Sequence, residues 1–271
     1  MPSVTDRSYL FVPGNRADRF AAACNAGADV VLIDLEDSVA PAAKAEARLA
    51  AAAWLRGSVG AWLRINGADT PSFLDDLSLL ASSGLGGVML AKAEEPDSIA
   101  SIRRAAPSLP VIPLIESARG LWNVMDIASA PGVVRLAFGS VDFQLDVGID
   151  GEREELLMAR SQLVLASRVA GLQPPVDGVT MALDDAEGLA RDVAYARRLG
   201  FGGKLCVHPR QVAVVNEGFG PSAAEMEWAR RVVAAAAKAG DNACRLEGKL
   251  VDRPIIDRAR AILRSIETDA R

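Results

Sequence analysis

Eight times along this chain a short apolar run, rich in Val, Ile and Leu, gives way to an amphipathic stretch rich in Ala, Leu and Arg. The apolar runs fall at about 8–12, 30–35, 62–65, 87–90, 111–115, 134–138, 178–180 and 203–207, the seventh being the weakest. The stretches between them read as helices at about 16–25, 42–55, 72–82, 97–105, 118–129, 152–170 and 184–199. Strands that are apolar almost throughout belong to a parallel sheet covered on both faces. Strict strand–helix alternation requires right-handed crossovers. An open doubly wound sheet uses five or six such units. Eight predict an α/β protein with a closed (β/α)8 TIM barrel, for which 271 residues are ample. The barrel is expected over 1–220. The remainder, 221–271, exceeds what a barrel needs. It reads as a helical extension, with helices near 223–239 and 253–268, that packs on the barrel or on a neighbouring subunit.

Composition removes several function classes. The chain has one histidine, His208, so any site needing two, such as a zinc-binding H-E-x-x-H helix, is excluded. Three cysteines, Cys24, Cys206 and Cys244, form no C-x-x-C pair and argue against a disulfide framework. A net charge of −5 and the absence of a dense Lys/Arg run give no support for nucleic-acid binding. The first apolar run is too short for a signal peptide, and no stretch of about 18 apolar residues suggests a membrane span, so the cytoplasm is the expected location. Walker A and G-x-G-x-x-G patterns are absent. Chemistry must therefore come from carboxylates, Arg, Lys or a metal.

In barrels of this kind active sites form at the carboxyl ends of the strands. Here those ends repeatedly carry charge: Asp34, Glu36 and Asp37 after strand two, Arg64 and Asn66 after three, Lys92 after four, Glu116 after five, Ser140 and Asp142 after six, His208 after eight. Glu116 and Asp142 follow adjacent strands, so their carboxylates can converge. Such a pair repels unless a proton or cation separates it, and a hard cation with oxygen ligands, Mg2+ or Mn2+, is the economical solution. The competing reading has each carboxylate paired to an Arg or capping the next helix. Arg64 suits a clamp for a substrate carboxylate, or a salt bridge to Glu36 or Asp37. The Phe138-Gly139-Ser140 turn can offer backbone N–H groups to an anion, and so can Val12-Pro13-Gly14-Asn15-Arg16; ordinary turns explain both equally. Lys44 and Arg48, one helical turn apart, either reach back toward Asp37 or form a solvated face. His208, before Pro209, reads as a hydrogen-bonded structural residue. Asp252 reads as a helix N-cap.

Taken in order, SYLFVPGN, ADVVLIDLEDSVAP with Lys44 and Arg48, WLRIN, PLIESARG, LAFGSVDF, GGKLCVHP and KLVDRP resemble the citrate lyase β-subunit-like proteins of the HpcH/HpaI aldolase/citrate lyase superfamily, over nearly the whole chain. The resemblance implies that Glu116 and Asp142 bind Mg2+ and that Arg64 binds the substrate carboxylate; with Glu116 and the turn residues Gly139 and Ser140, Arg64 makes up the candidate substrate-binding set. It also implies that Asp252 supplies an acid from a C-terminal segment reaching a neighbouring subunit's site in a homotrimer or hexamer. Asp37 stands among the candidate catalytic residues. It occupies the position where pyruvate-type aldolases carry a histidine, which favours the acyl-CoA branch. The implied activity is reversible carbon–carbon cleavage of malyl-, citramalyl- or citryl-CoA to a 2-oxoacid and an acyl-CoA. Alternatives are an aldol lyase for free 2-oxo acids, a citrate lyase β subunit active only in a complex, and a regulatory barrel without turnover. The sequence offers no dependable CoA motif; Arg16 and Lys204 are the candidates.

Overall fold

The computed structural model describes residues 6–57, 60–82, 84–240 and 242–269. They group into two compact units, Asp6–Phe219 and the segment from Gly220 onward.

Eight parallel strands close the first unit into a barrel: β1 (Ser8–Pro13), β2 (Val30–Asp34), β3 (Ala61–Ile65), β4 (Leu85–Leu90), β5 (Val111–Ile115), β6 (Ala137–Phe138), β7 (Val176–Asp177) and β8 (Gly203–Cys206). β8 pairs back onto β1. The (β/α)8 TIM barrel expected from the alternation is thus present. Side chains alternate between two faces of each strand. One set, including Tyr9, Leu32, Met89, Leu114 and Leu205, packs together inside the barrel. The other set, including Leu10, Ile33, Leu63, Ile115 and Cys206, packs outward against the helices. This alternation decides what appears at the barrel mouth. On β2 the inward series Val30, Leu32 continues to Asp34; on β3 Trp62 continues to Arg64; on β5 Ile112, Leu114 continues to Glu116.

Several elements differ from expectation. The sixth strand ladders regularly only over Ala137–Phe138, not 134–138. Upstream of it Arg135 is fully buried and donates to the carbonyls of Pro174 and Asp6 and to the Tyr9 hydroxyl. The seventh strand is Val176–Asp177, ending before 178–180, because the Gly178 carbonyl accepts from Lys204 Nζ at 2.7 Å. The helix expected at 118–129 is two pieces, Ala118–Trp122 and Val124–Ala128, parted at Asn123, whose side chain donates to the Glu94 carbonyl. The helix expected to begin near 152 begins at Leu157. Two short helices were not anticipated, Ser140–Val147 and Val212–Phe219.

From Gly220 on, the chain forms the helix Ala223–Lys238, the antiparallel pair β9 (Cys244–Leu246) and β10 (Lys249–Val251), and the helix Arg253–Asp269. The first helix starts with a capping box between Ser222 and Glu225, which satisfies two otherwise orphaned N–H groups. Ala229, Val232, Ala236, Val251, Ile256 and Ala259 form this unit's own core. Asp252 Oδ1 accepts from Ile255 N at 3.4 Å at the start of the last helix, the capping position read from the sequence. No helix among the described residues is long and apolar enough to cross a membrane.

Candidate active site

The pairing of β2 with β3 sets Asp34 directly beside Arg64. Arg64 donates from Nε and from Nη2 to the two Asp34 oxygens, each at 2.7 Å, a fork-on-fork pair. Its Nη1 lies 3.3 Å from Glu36 Oε2, and its guanidinium sits 4.4 Å above the Phe11 ring. Only 11% of the Arg64 side chain is exposed. Two of the five donors are hydrogen-bonded, both to Asp34, and the residue lines a cavity of about 380 Å3 at the barrel mouth. Burial works against the charge on Asp34, yet the charge and hydrogen bonds of Arg64 hold its carboxyl below the usual range. The clamp and salt-bridge readings of Arg64 are therefore compatible: carboxylates fix the guanidinium, leaving part of it toward the cavity.

Glu36 joins the two cations of the site. Its Oε1 accepts from Lys92 Nζ at 2.5 Å, opposite its contact with Arg64. Asp37 is more open, 3.8 Å from Lys92 Nζ, and lines the same cavity. Lys92 has φ +48°, a left-handed conformation that non-glycine residues adopt rarely and chiefly where surroundings enforce it. In that conformation its N–H reaches Glu116 Oε1 at 2.6 Å. Burial opposes the ammonium, but the hydrogen bond and charge of Glu36 keep Lys92 protonated beyond the usual lysine range.

Glu116 is only 3% exposed. Burial, then the charges of Glu36 and Asp142, push its carboxyl up to about 8 against the opposing pull of the Lys92 N–H and Arg64. Asp142 lies in the first turn of the helix Ser140–Val147, one step beyond the strand end where the sequence placed it. Both carboxylates line the 380 Å3 cavity and a second one of about 560 Å3 between the loops after β3, β4, β5 and β6. Gly139 makes this possible. A Cβ there would run into the Cβ and Oε2 of Glu116. Its N–H is committed to the Ile115 carbonyl at 2.9 Å, so the expected role of Gly139 as an anion donor is replaced by one of clearance. Ser140 is buried, its Oγ against Gly178.

Other sequence candidates fall elsewhere. The Gly14 N–H is taken by the Asp34 carbonyl at 2.7 Å and the Arg16 N–H by the Pro13 carbonyl at 2.9 Å, so neither backbone donor of the turn after β1 is open to an anion; the exposed Arg16 side chain pairs with Asp18. Lys204 points outward from β8, 2% exposed, and pairs with Asp177, which also binds Arg160. It cannot reach a cofactor at the surface. Lys44 and Arg48 form no solvated face and do not meet Asp37: Lys44 binds the ends of β2 and β3, and Arg48 binds Asp75 and Asp76. His208 caps the turn that follows it, accepting from Arg210 N, as a structural residue should. Sequence reasoning gave no role to Asp34 as Arg64's partner or to Glu36 as a bridge. The period-two series that ends in Asp34 carried that signal.

Residues 7–209 match the HpcH/HpaI aldolase/citrate lyase family model. A citrate lyase subunit beta-like protein of Deinococcus radiodurans is 40% identical, the alignment covering 97% of this chain and 98% of that protein. A (3S)-malyl-CoA thioesterase of Cereibacter sphaeroides is 32% identical over 97% of this chain and 95% of its own length. The crystal structure of CitE from Mycobacterium tuberculosis, in complex with magnesium, acetoacetate and coenzyme A, superposes with a TM-score of 0.86 at 34% identity, covering 98% of this chain and 99% of that one. With its closed barrel and charged mouth, the chain belongs to the HpcH/HpaI aldolase/citrate lyase family of lyases.

Proposed function

We propose that the protein is a Mg2+-dependent carbon–carbon lyase that cleaves a 3-hydroxyacyl-CoA thioester (malyl-, citramalyl- or citryl-CoA) to a 2-oxoacid and an acyl-CoA. The observation that carries this reading is one cavity lined by buried Glu116, by Asp142 and by the oriented guanidinium of Arg64. The ligands of the Mycobacterium tuberculosis relative, magnesium, acetoacetate and coenzyme A, support it.

The donor set fits the metal. Burial, with the charges of Glu36 and Asp142 behind it, pushes Glu116 up to about 8, and a divalent cation held by Glu116 and Asp142 would offset that penalty. Among the described residues no group of three or more His, Cys, Asp or Glu side chains forms a metal cage. Mg2+ commonly takes one or two carboxylates and completes its shell with water and substrate oxygens. When bound, it supplies Lewis acidity to the hydroxyl and carboxylate of the oxoacid half. Glu116 and Asp142 would hold it, and Mn2+ could replace it.

The remaining steps belong to the chain's own residues. Arg64 grips the carboxylate through the donors that Asp34 and Glu36 leave open. Asp37, at the open edge of the cavity, accepts the hydroxyl proton as the carbinol C–O becomes the oxoacid carbonyl. The bond between carbinol carbon and thioester α-carbon breaks, and its electron pair passes into the thioester as an enolate. Asp252 of a neighbouring subunit, in a homotrimer or hexamer, protonates the α-carbon.

The test is a panel of malyl-, citramalyl- and citryl-CoA with Mg2+, following oxoacid and free thiol separately. The expected result is oxoacid release from at least one thioester, lost in chelator and in Asp252→Asn. Free thiol without oxoacid would replace this reading by thioester hydrolysis, the activity named for the Cereibacter relative. Turnover of free hydroxy-oxo acids alone would replace it by a CoA-independent aldol reaction.

A pH dependence follows from Glu116. Its carboxyl titrates near 8, and only the carboxylate binds a cation. Mg2+ affinity is expected to fall about tenfold per pH unit below 8 and to level off above it. Calorimetric titration at pH 6, 7, 8 and 9 measures this; a flat profile contradicts it.

A further inference from the structure

Lys44 opens the helix Lys44–Leu55, and side chains there point back toward the helix start. Its ammonium therefore returns to the end of β2. All three of its N–H groups are satisfied: the Leu35 carbonyl at 2.9 Å, the Glu36 carbonyl at 3.0 Å and Asn66 Oδ1 at 2.7 Å. Asn66 in turn donates to the same Leu35 carbonyl at 3.0 Å and to Asp76 Oδ2 at 2.6 Å. Asp76 accepts the Asn66 backbone N–H at 3.0 Å and is paired with Arg48 at 3.2 Å. Lys44 thus holds the main-chain oxygen of Glu36 on one side, while the Glu36 carboxylate spans Lys92 and Arg64 on the other.

We propose that Lys44 is a positioning residue for the oxoacid-binding guanidinium of Arg64, acting through the backbone of Glu36. The ammonium fixes the carbonyls at 35 and 36, which sets the direction of the Glu36 side chain, which in turn fixes Arg64. A salt bridge to the site is not involved, since all three acceptors are neutral oxygens. No planar guanidinium reproduces three divergent donors from one nitrogen. The consequence for oxoacid binding rests on the reading of the barrel mouth given above; the consequence for Arg64 does not.

The test is a double-mutant cycle of Lys44→Met and Glu36→Gln, with Lys44→Gln as a second variant should the first fold poorly. Two readouts are taken below the melting transition. The first is the KM for pyruvate or glyoxylate in the condensation direction, expected to rise roughly tenfold in each single variant with a smaller change in kcat. The second is the rate at which phenylglyoxal modifies Arg64, followed by mass spectrometry and expected to rise in each single variant. The double variant is expected to match Glu36→Gln alone on both, since residues acting in series are not additive. Additive effects, or Lys44 variants with a lowered melting temperature but unchanged KM and unchanged Arg64 modification, would overturn the proposal. Should wild type turn over no oxoacid, the function reading fails, while the Arg64 modification cycle still decides the role of Lys44.

Discussion

Glu116→Gln is expected to fold, to lose Mg2+ binding, and to lower turnover by roughly a thousandfold or more. The magnitude is that of withdrawing a Lewis acid worth several kcal/mol of transition-state stabilisation. The choice of Gln follows from the surroundings. With its carboxyl pushed up to about 8, Glu116 without metal is mostly neutral at pH 7, and Gln mimics that neutral form. The Gln oxygen can still accept the Lys92 N–H that Glu116 accepts at 2.6 Å. The sign of the stability change also follows. An acid whose folded pKa is raised above its unfolded value destabilises the fold progressively as pH rises from about 4.5 to about 8. Metal-free wild type is therefore expected to lose stability over that window, and Glu116→Gln to lose less. Melting curves at pH 5 and pH 9, with and without Mg2+, measure both effects. Tight Mg2+ binding by the variant would remove Glu116 from the metal site.

Arg64 gives the second large effect, and the substitution decides what is learned. Arg64→Lys keeps the charge but cannot reproduce the two parallel bonds to Asp34 at 2.7 Å while also turning toward the cavity. Its expected effect is a KM for the oxoacid higher by roughly a hundredfold, with kcat less affected. Arg64→Met is a different experiment. It leaves Asp34 and Glu36, both buried, without their guanidinium, and breaking a buried pair from one side destabilises by about 3 kcal/mol or more. A lower denaturation midpoint in urea should accompany it. Equal KM values for wild type and Arg64→Lys would show that the substrate carboxylate binds elsewhere.

Those two residues also show how far the sequence could be read. The barrel was legible because its signal is repeated eight times, so a weak seventh strand did not obscure it. The charged strand ends were legible because an apolar run that stops at Asp, Arg or Glu is hard to attribute to folding alone. Partners were not. That Asp34 faces Arg64 depends on the register between β2 and β3, which the closed barrel sets and which no local pattern carries. Lys92 looked like one more basic strand end, yet its φ of +48° makes its backbone as important as its side chain. Gly139 looked like an anion-binding turn, and the approach of Glu116 shows that the missing side chain is what matters. Lys204 stood as a candidate CoA contact, but it follows the outward face of β8 and is sealed against Asp177. The helix Ser140–Val147 escaped notice because eight residues, SVDFQLDV, are too few to display a helical period.

The central claim is that Glu116 and Asp142 hold a divalent cation to which Arg64 delivers a 2-oxoacid. A crystal grown with Mn2+ and pyruvate, with anomalous data at the manganese edge, tests it most directly. The account predicts one strong peak contacting both carboxylates, with the pyruvate carboxylate turned to Arg64. A peak that avoids Glu116 and Asp142, or pyruvate bound away from Arg64, would contradict it.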